Sequence, residues 1–271
     1  MKPTSATVNT YGNTLKTYRV AGLRMAETKY APGLKVSRHS HEHAYFSLVL
    51  AGTFDGTYGK IAQVGKPFCA VFRPAHEPHS VHFHQTGARL FSVEVDTDEL
   101  ERAREHSLML NRSTELAGGE LAWLAFRIYR EACTMDEVSP LAIEGLFLEM
   151  LAAASRSSKT AALQVPRWLK RVKEMIDASF SNTLTISEIA ETVDVHPAHL
   201  ATVFRKHYRC TIGEYVRQLR IEYACRRLSM ADGSLVEIAL AAGFSDQSHF
   251  SKTFKQFTGM SPARFRATLP P

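Results

Sequence analysis

The sequence has few cysteines and no long hydrophobic run. Its four cysteines, Cys69, Cys133, Cys210 and Cys225, are scattered, and no pair has a two-residue spacing. This pattern is typical of reduced thiols and excludes a disulfide framework or a zinc ribbon. No stretch approaches the roughly 20 apolar residues that cross a bilayer, and the first residues lack the apolar core of a secretion signal. We therefore expect a cytoplasmic protein with no membrane partner.

Strong compositional bias is also missing. Charged residues make up 22% and hydrophobic residues 45% of the 271 residues, which is ordinary globular composition. A chain of this length favours two domains over one. The net charge is only +6, but 15 Lys and Arg against 10 Asp and Glu lie in residues 164–271, so most of the excess is there. A basic carboxy-terminal part favours nucleic acid as the partner.

The periodicity of apolar residues changes along the chain. Between Tyr18 and Val95, short apolar runs alternate with turn residues, which predicts a small β-barrel or sandwich. After Asp96 the spacing becomes helical, and two segments, 120–135 and 139–155, carry wide apolar faces. These faces either pack on the barrel or form a subunit interface, and the sequence leaves both open. The polar segment 155–166 predicts a linker.

The carboxy-terminal part contains two copies of a helix-turn-helix pattern. Thr185 and Glu188 have the capping-box spacing that starts a helix, and Ile189-Ala190 recurs 49 residues later as Ile238-Ala239. Between the copies lies a predicted helix of about 18 residues, on the order of 27 Å long. A rod of that length can hold two helices roughly 34 Å apart, in successive major grooves on one side of a duplex.

These motifs, together with the ending Gly-Met-Ser-Pro-Ala-Arg-Phe-Arg at residues 259–266, resemble the DNA-binding domain of the AraC/XylS family of transcriptional regulators. The resemblance implies that double-stranded DNA is a partner, with RNA polymerase as a further partner of an activator. It also implies that the exposed side of the second helix in each copy contacts the DNA. The candidate DNA-binding residues are Ala198, His199, Ala201, Thr202, Arg205 and Lys206 in the first copy, and Gln247, Ser248, Ser251, Lys252 and Lys255 in the second.

The two copies differ in the chemistry of these side chains. Ala198 and Ala201 offer only apolar contact, such as to a thymine methyl group, so we expect the first copy to specify bases weakly. In the second copy, Gln247 can pair with adenine, and Lys252 with guanine or a phosphate. Arg205, Lys206 and Lys255 are placed as phosphate anchors.

Histidine is concentrated in the amino-terminal part, where seven of the twelve lie between His39 and His84. Gly33, His39-x-His41, Tyr45 and Gly52 resemble the first cupin motif, with tyrosine where metal-binding cupins have glutamate, and residues 74–79 resemble the second. Cupin barrels commonly supply the sensor domain of this regulator family. The effector-binding residues that the resemblance implies are His39, His41, His43, Tyr45, His76 and His79.

Three of these histidines are also candidate metal ligands. His39 and His41 lie two residues apart and share one face of a strand, and transfer of the cupin motif adds His79 as the third ligand for Zn, Ni, Fe or Cu. Tyr45 is a poor substitute for the glutamate, because a neutral phenol is a weak ligand. The alternative is that these histidines form hydrogen bonds to an organic effector.

The expected fold class is α+β with several domains. It comprises a cupin-like, effector-sensing β-barrel in residues 1–105, a helical linker and dimerisation segment in 106–158, and an all-α DNA-binding domain with two helix-turn-helix units in 165–271. We expect a homodimeric, sequence-specific transcriptional regulator, either an activator or a repressor, that responds to a small-molecule effector and is not an enzyme. One alternative is a metal-dependent cupin enzyme, of dioxygenase or isomerase type, fused to a DNA-binding domain. Another is a constitutive DNA binder whose barrel serves only for dimerisation.

Overall fold

A computed structural model shows two compact units, residues 1–159 and 160–271. It describes residues 11–20, 22–58, 61–95, 114–117, 119–162, 165–183, 185–208, 210–230 and 233–268. The predicted boundary between residues 105 and 106 lies outside the described residues.

The first unit contains one antiparallel sheet. The strand path is β1-β2-β7-β4-β6-β8, with β3 paired to β7 and β5 paired to β4. The strands are β1 (Asn13–Val20), β2 (Leu23–Tyr30), β3 (Lys35–His39), β4 (Ala44–Tyr58), β5 (Ile61–Gly65), β6 (Cys69–Arg73), β7 (His79–Val95) and β8 (Thr114–Ala117).

Two strands are much longer than the sequence predicts. β4 and β7 pair with each other from Ala44 opposite Val95 to Tyr58 opposite His79, with register shifts near Gly52. One half of each long strand pairs with β2 or β6, and the other half with β3 or β5. The sheet-rich domain is confirmed, but the described strands do not close into a barrel, because β1 and β8 remain as edges that do not pair with each other.

Two helices follow the sheet, α1 (Gly119–Cys133) and α2 (Ser139–Ala162). α1 packs on the sheet through aromatic side chains, with ring centroids 4.4 Å apart for Trp123 and Phe68, and 5.2 Å apart for Tyr129 and Phe91. The apolar face of α1 is thus covered within the chain. α2 continues to Ala162, so most of the predicted linker is helical, because its Ser, Lys and Ala residues also permit helix.

The second unit is all-helical in its described residues. Two helix-turn-helix pairs, α4–α5 and α7–α8, lie on either side of α6, which has the predicted 18 residues. The helices are α3 (Arg167–Ser179), α4 (Ile186–Thr192), α5 (Pro197–Tyr208), α6 (Ile212–Ser229), α7 (Leu235–Ala241), α8 (Gln247–Thr258) and α9 (Pro262–Thr268). None of the helices in the described part of the chain is long and apolar enough to span a membrane.

The first helix of each pair starts at the same kind of cap. The hydroxyl of Thr185 accepts a hydrogen bond from the backbone N–H of Glu188, whose carboxylate accepts one from the N–H of Thr185. Ser234 and Glu237 repeat this capping box at the start of α7. The capping box predicted at Thr185 is therefore confirmed, and the internal repeat extends to its hydrogen bonds.

Candidate DNA interface and effector cavity

The turns of the two helix-turn-helix units contain equivalent residues with positive φ. Asp194 has a φ of 52°, and Gly243, which lies 49 residues later, has a φ of 84°. A Cβ atom on Gly243 would lie 2.3 Å from the carbonyl oxygen of Ser181, so this turn requires glycine. The left-handed conformation tolerates an aspartate better than most side chains, which suits the first turn.

The first recognition helix, α5, presents few polar groups on its outer face. Leu200 and Phe204 are fully buried, whereas Ala198 and Thr202 are exposed. The hydroxyl of Thr202 donates a hydrogen bond to the carbonyl of Ala198, 2.9 Å away, within the same helix. Ala201 is half-buried. This face therefore consists of methyl groups and a hydroxyl whose proton is already donated. The exposed His199 lies beside it, and its ring centroid is 5.8 Å from that of Trp168.

The second recognition helix, α8, presents longer polar side chains on an equivalent scaffold. Asp246 caps its start by accepting a hydrogen bond from the N–H of His249, 2.7 Å away. Gln247, Ser248 and Lys252 are exposed. The remaining candidate, Ser251, is half-buried. The outer face of α8 thus provides an amide, two hydroxyls and an ammonium group for hydrogen bonding.

Four of the candidate cations in this unit form no ion pair among the described residues. Arg205, Lys206, Lys252 and Lys255 are exposed, and no ion pair within the described part of the chain involves them. Arg220 differs, because its guanidinium donates to the carbonyls of Phe180 and Asn182 and so holds the fold together. The four exposed cations are available to contact phosphate groups.

The sheet of the first unit contains a cavity that is partly open to solvent, and the volume inside it that is open to the centre of a water molecule is about 50 Å³. Four of the six predicted effector-binding residues line it: His39, His41, Tyr45 and His79. His43 and His76 are not among the lining residues. His76 is exposed and has a φ of 62°, and its backbone N–H donates to the carbonyl of His41, 2.7 Å away. The imidazole of His76 is therefore exposed to solvent and does not line the cavity.

Three histidines meet at the cavity, as the cupin resemblance implies. One ring nitrogen from each of His39, His41 and His79 lies within 4.8 Å of the others. Nδ1 of His39 is 2.9 Å from the carbonyl of Ser37, and Nδ1 of His79 is 3.0 Å from that of Glu77. A hydrogen bond from Nδ1 to a carbonyl leaves Nε2 as the ligand atom, which is the usual arrangement of metal-bound histidine.

Burial keeps two of these imidazoles, those of His41 and His79, neutral near pH 7. Burial, with the charges of His39 and Arg73, lowers the pKa of His41 to about 4. Burial likewise lowers the pKa of His79 to about 4, and the charges of His39, His41 and Arg73 act in the same direction. Neutral imidazoles bind metal ions, so His41 and His79 suit a metal site. In the described part of the chain, no carboxylate joins the three histidines as a further ligand. The positive charge of the nearby Arg73 guanidinium would also repel a divalent metal ion.

The cavity is also lined by Arg73, Tyr58 and Tyr30, which were not predicted from the sequence. Burial lowers the pKa of Arg73 from its usual value, but an arginine remains charged. The signal available in the sequence was an arginine at the end of an apolar strand. Tyr45 contributes a hydroxyl 3.4 Å from Nε2 of His79, and burial raises the pKa of this phenol.

Comparison with known proteins finds two matching families. The AraC-like ligand binding domain matches residues 25–165, and a helix-turn-helix domain matches residues 189–268. The first of these matches covers more than half of the chain and includes the cavity residues described above. The second includes both recognition helices.

Three curated relatives are similar to parts of the chain. The Msm operon regulatory protein of Streptococcus mutans is 29% identical over 140 residues, which are 50% of this chain and 50% of that protein. The bifunctional transcriptional activator/DNA repair enzyme AdaA of Bacillus subtilis is 32% identical, over 36% of this chain and 47% of that protein. A probable transcription factor of Proteus vulgaris, PqrA, is 38% identical, over 32% of this chain and 73% of that protein.

The chain spans about half the length of the first two of these relatives. A ligand-binding domain match over more than half of the chain and a helix-turn-helix match after it agree with the two structural units. The protein belongs to the AraC family of transcriptional regulators.

Proposed function

We propose that this protein regulates transcription by binding double-stranded DNA through α5 and α8, under the control of a small molecule bound in the sheet cavity. The observation that carries the proposal is the repeated scaffold, on which two helices of 12 residues present exposed outer faces. The connecting helix α6 has 18 residues, so it is on the order of 27 Å long. This length suits two helices in successive major grooves.

Binding to the DNA backbone is supported by the exposed cations of the second unit. Arg205, Lys206 and Lys255 lie on the last turns of the recognition helices and form no ion pair among the described residues. Cations in such positions neutralise phosphates and release counterions, so they supply affinity but little sequence preference.

The direct test is the salt dependence of DNA binding by the full chain. Binding sites selected from a random duplex pool should exceed random DNA in affinity by about 10³-fold or more. The Arg205→Ala/Lys206→Ala/Lys255→Ala variant should lose affinity for both kinds of DNA. Its slope of log K against log salt should fall by about 0.9 for each lost phosphate contact.

Arg167→Ala/Lys170→Ala/Arg171→Ala is the matched control, because it removes three exposed cations from α3 of the same unit. A similar loss of slope in this control would mean that net charge, not the recognition helices, drives binding. Equal affinity for selected and random DNA would contradict a sequence-specific regulator.

We extend the proposal to an activator in the cytoplasm that contacts RNA polymerase and acts as a homodimer. Support for a second copy comes from α2, where Leu141 is 74% exposed and Leu148 is 48% exposed on one face, with Gly145 between them. The full chain should sediment as a dimer, and Leu141→Lys/Leu148→Lys should give monomers. A wild-type monomer at micromolar concentration would contradict this part of the proposal.

A metal-dependent cupin enzyme is the second candidate function, and the geometry of His39, His41 and His79 is the observation that favours it. These residues would hold the ion, which would supply a Lewis acid next to the cavity. We favour a binding pocket over an enzyme for two reasons. Tyr45 occupies the position where metal-binding cupins have a glutamate, and the cavity is lined by the cation Arg73.

Elemental analysis of the purified full chain separates the two functions. We expect less than one bound Zn, Ni, Fe or Cu per ten chains, both in the wild-type protein and in His39→Ala/His41→Ala. One metal per wild-type chain that is lost in the variant would support the enzyme instead.

A further inference from the structure

We propose that Arg73 binds a carboxylate of the effector, which makes the effector an amphipathic monocarboxylate with an apolar ring or chain. The proposal rests on the function proposed for the sheet cavity and specifies the chemical class of molecule that the cavity takes.

Arg73 is a buried residue at the end of a strand. It is only 4% exposed, ends β6 and lies directly opposite Tyr45 on β4, so both side chains point to the same face of the sheet. Its guanidinium carbon is 3.4 Å from the centroid of the Tyr58 ring. Nη1 donates to the carbonyl of Phe72 at 3.2 Å and to the side-chain oxygen of Gln63 at 3.4 Å. The guanidinium is thereby fixed in place by neutral groups.

The other well-buried arginine of this sheet is paired with a carboxylate. Arg89, 9% exposed, forms an ion pair with Glu27, and the partly exposed Arg24 forms one with Glu94. Among the described residues, no carboxylate lies within ion-pair distance of Arg73. Glu77 is a more distant negative charge that favours the charged form of Arg73.

A buried charge without a counterion is costly, and neutral hydrogen-bond acceptors or an aromatic ring offset the cost less fully than a hydrogen-bonded partner of opposite sign. The sheet supplies that partner for Arg89 and Arg24. At Arg73 it supplies an open cavity instead. A carboxylate entering the cavity can accept two parallel hydrogen bonds from the guanidinium, which is the geometry that arginine favours.

The strand register separates the cavity into a polar end and an apolar end. At the polar end, His79 lies opposite His39 on β3 and opposite Tyr58 on β4. Further along the same strands, Val36 pairs with Val81, and Phe54 pairs with Phe83. The Phe83 ring is stacked with that of Tyr30, at 4.2 Å between centroids.

This arrangement matches a molecule with one charged end and one apolar end. Arg73 and the hydroxyl of Tyr45 lie beside the histidines, and the aromatic rings line the space beyond them. A neutral polyol would leave the guanidinium charge unpaired. A phosphate dianion would require a second cation to balance it, whereas one guanidinium balances one carboxylate.

The experiment compares carboxylates with their amides on the purified full chain. The probes are benzoate, 4-hydroxybenzoate, phenylacetate and hexanoate, each beside the corresponding amide, and phenyl phosphate. Dissociation constants come from calorimetric titration. We expect at least one carboxylate to bind about tenfold or more tightly than its amide, and more tightly than phenyl phosphate.

Two substitutions of Arg73 test whether this residue causes the preference for carboxylates over amides. Arg73→Met should reduce the affinity for that carboxylate about tenfold or more, to the level of the amide, and Arg73→Lys should retain part of it. Arg38→Met is the matched control, because Arg38 is exposed on β3 next to His39. It should leave the affinity unchanged.

Several results would overturn the proposal. They are equal binding of carboxylates and amides by the wild-type chain, tighter binding of phenyl phosphate, absence of binding by every carboxylate, or an unchanged preference in Arg73→Met. If Arg73→Met does not fold, the comparison within the wild-type protein decides the matter, because it needs no substitution.

These outcomes are independent of the regulator proposal. Loss of the carboxylate preference leaves the salt-dependent binding of selected DNA intact, since that measurement depends on α5 and α8. Loss of sequence-specific DNA binding leaves the titrations unaffected.

Discussion

The two helix-turn-helix units share one scaffold and differ on the face that points outward. Each first helix starts with a capping box and buries an Ile-Ala pair, and each recognition helix has 12 residues with buried aromatic side chains. On the outer face, α5 has Ala198 and Thr202 at the positions where α8 has Ser248 and Lys252. Packing constrains the inner face of both helices alike, whereas the outer face is free to differ in chemistry.

This contrast indicates that α5 and α8 make different kinds of contact with DNA. The polar groups of α8 can form hydrogen bonds to base edges, and the methyl groups of α5 provide only apolar contact. Both helices end in exposed cations, Arg205 in α5 and Lys255 in α8. We therefore expect α8 to form the base-specific contacts and α5 mainly to contact the phosphate backbone of the DNA.

The largest effects should come from the aromatic side chains that the two scaffolds share. Phe204→Ala and Phe254→Ala each remove a fully buried ring, so each should lower the free energy of unfolding by about 3–5 kcal/mol. Chemical denaturation of the full chain, followed by circular dichroism, measures the loss. A cost below about 1 kcal/mol for either variant would show that its unit is not packed as described.

The turns should respond less strongly and should differ from each other. Gly243→Ala places a Cβ against the carbonyl of Ser181 in a left-handed conformation, so we expect a loss of about 1–3 kcal/mol. Asp194→Gly at the equivalent turn relieves the left-handed conformation and should change stability by less than about 1 kcal/mol. The same denaturation experiment compares them. Equal losses at the two turns would contradict the difference in packing.

The helix caps should show the smallest and most similar effects. Thr185→Ala and Ser234→Ala each remove a capping hydroxyl, and each should cost about 1 kcal/mol. Thermal unfolding provides the measurement, with Ser187→Ala as the control, because Ser187 is exposed within α4 and does not cap it. A difference of more than about 1 kcal/mol between the two caps would break the symmetry of the scaffold.

The helical unit was more predictable from the sequence than the sheet. Helix-turn-helix repeats, the capping box at Thr185 and the 18-residue connector all depend on local spacing, which the sequence displays directly. The sheet depends on pairing between distant residues. The register shifts near Gly52 interrupt the alternation of β4, so its full length of 15 residues was not apparent.

The residues that line the cavity were predicted only in part for a similar reason. His39, His41, Tyr45 and His79 line the cavity, but the loop backbone turns His76 away. Arg73 was missed because a single arginine after an apolar run resembles the end of a strand. Only the pairing of β6 with β4 places it beside Tyr45 and inside the cavity.

The claim that α8, and not α5, determines base preference is tested most directly with three full-length proteins, the wild type and two variants. Sites selected from random DNA by the wild-type chain are scanned with single base-pair substitutions, and the scan is repeated with Gln247→Ala/Lys252→Ala and with Thr202→Ala. We predict that the first variant loses about 1–3 kcal/mol of discrimination at each base pair contacted by α8, and that Thr202→Ala keeps the wild-type profile. An unchanged profile in Gln247→Ala/Lys252→Ala, or an equal loss in Thr202→Ala, would contradict this account.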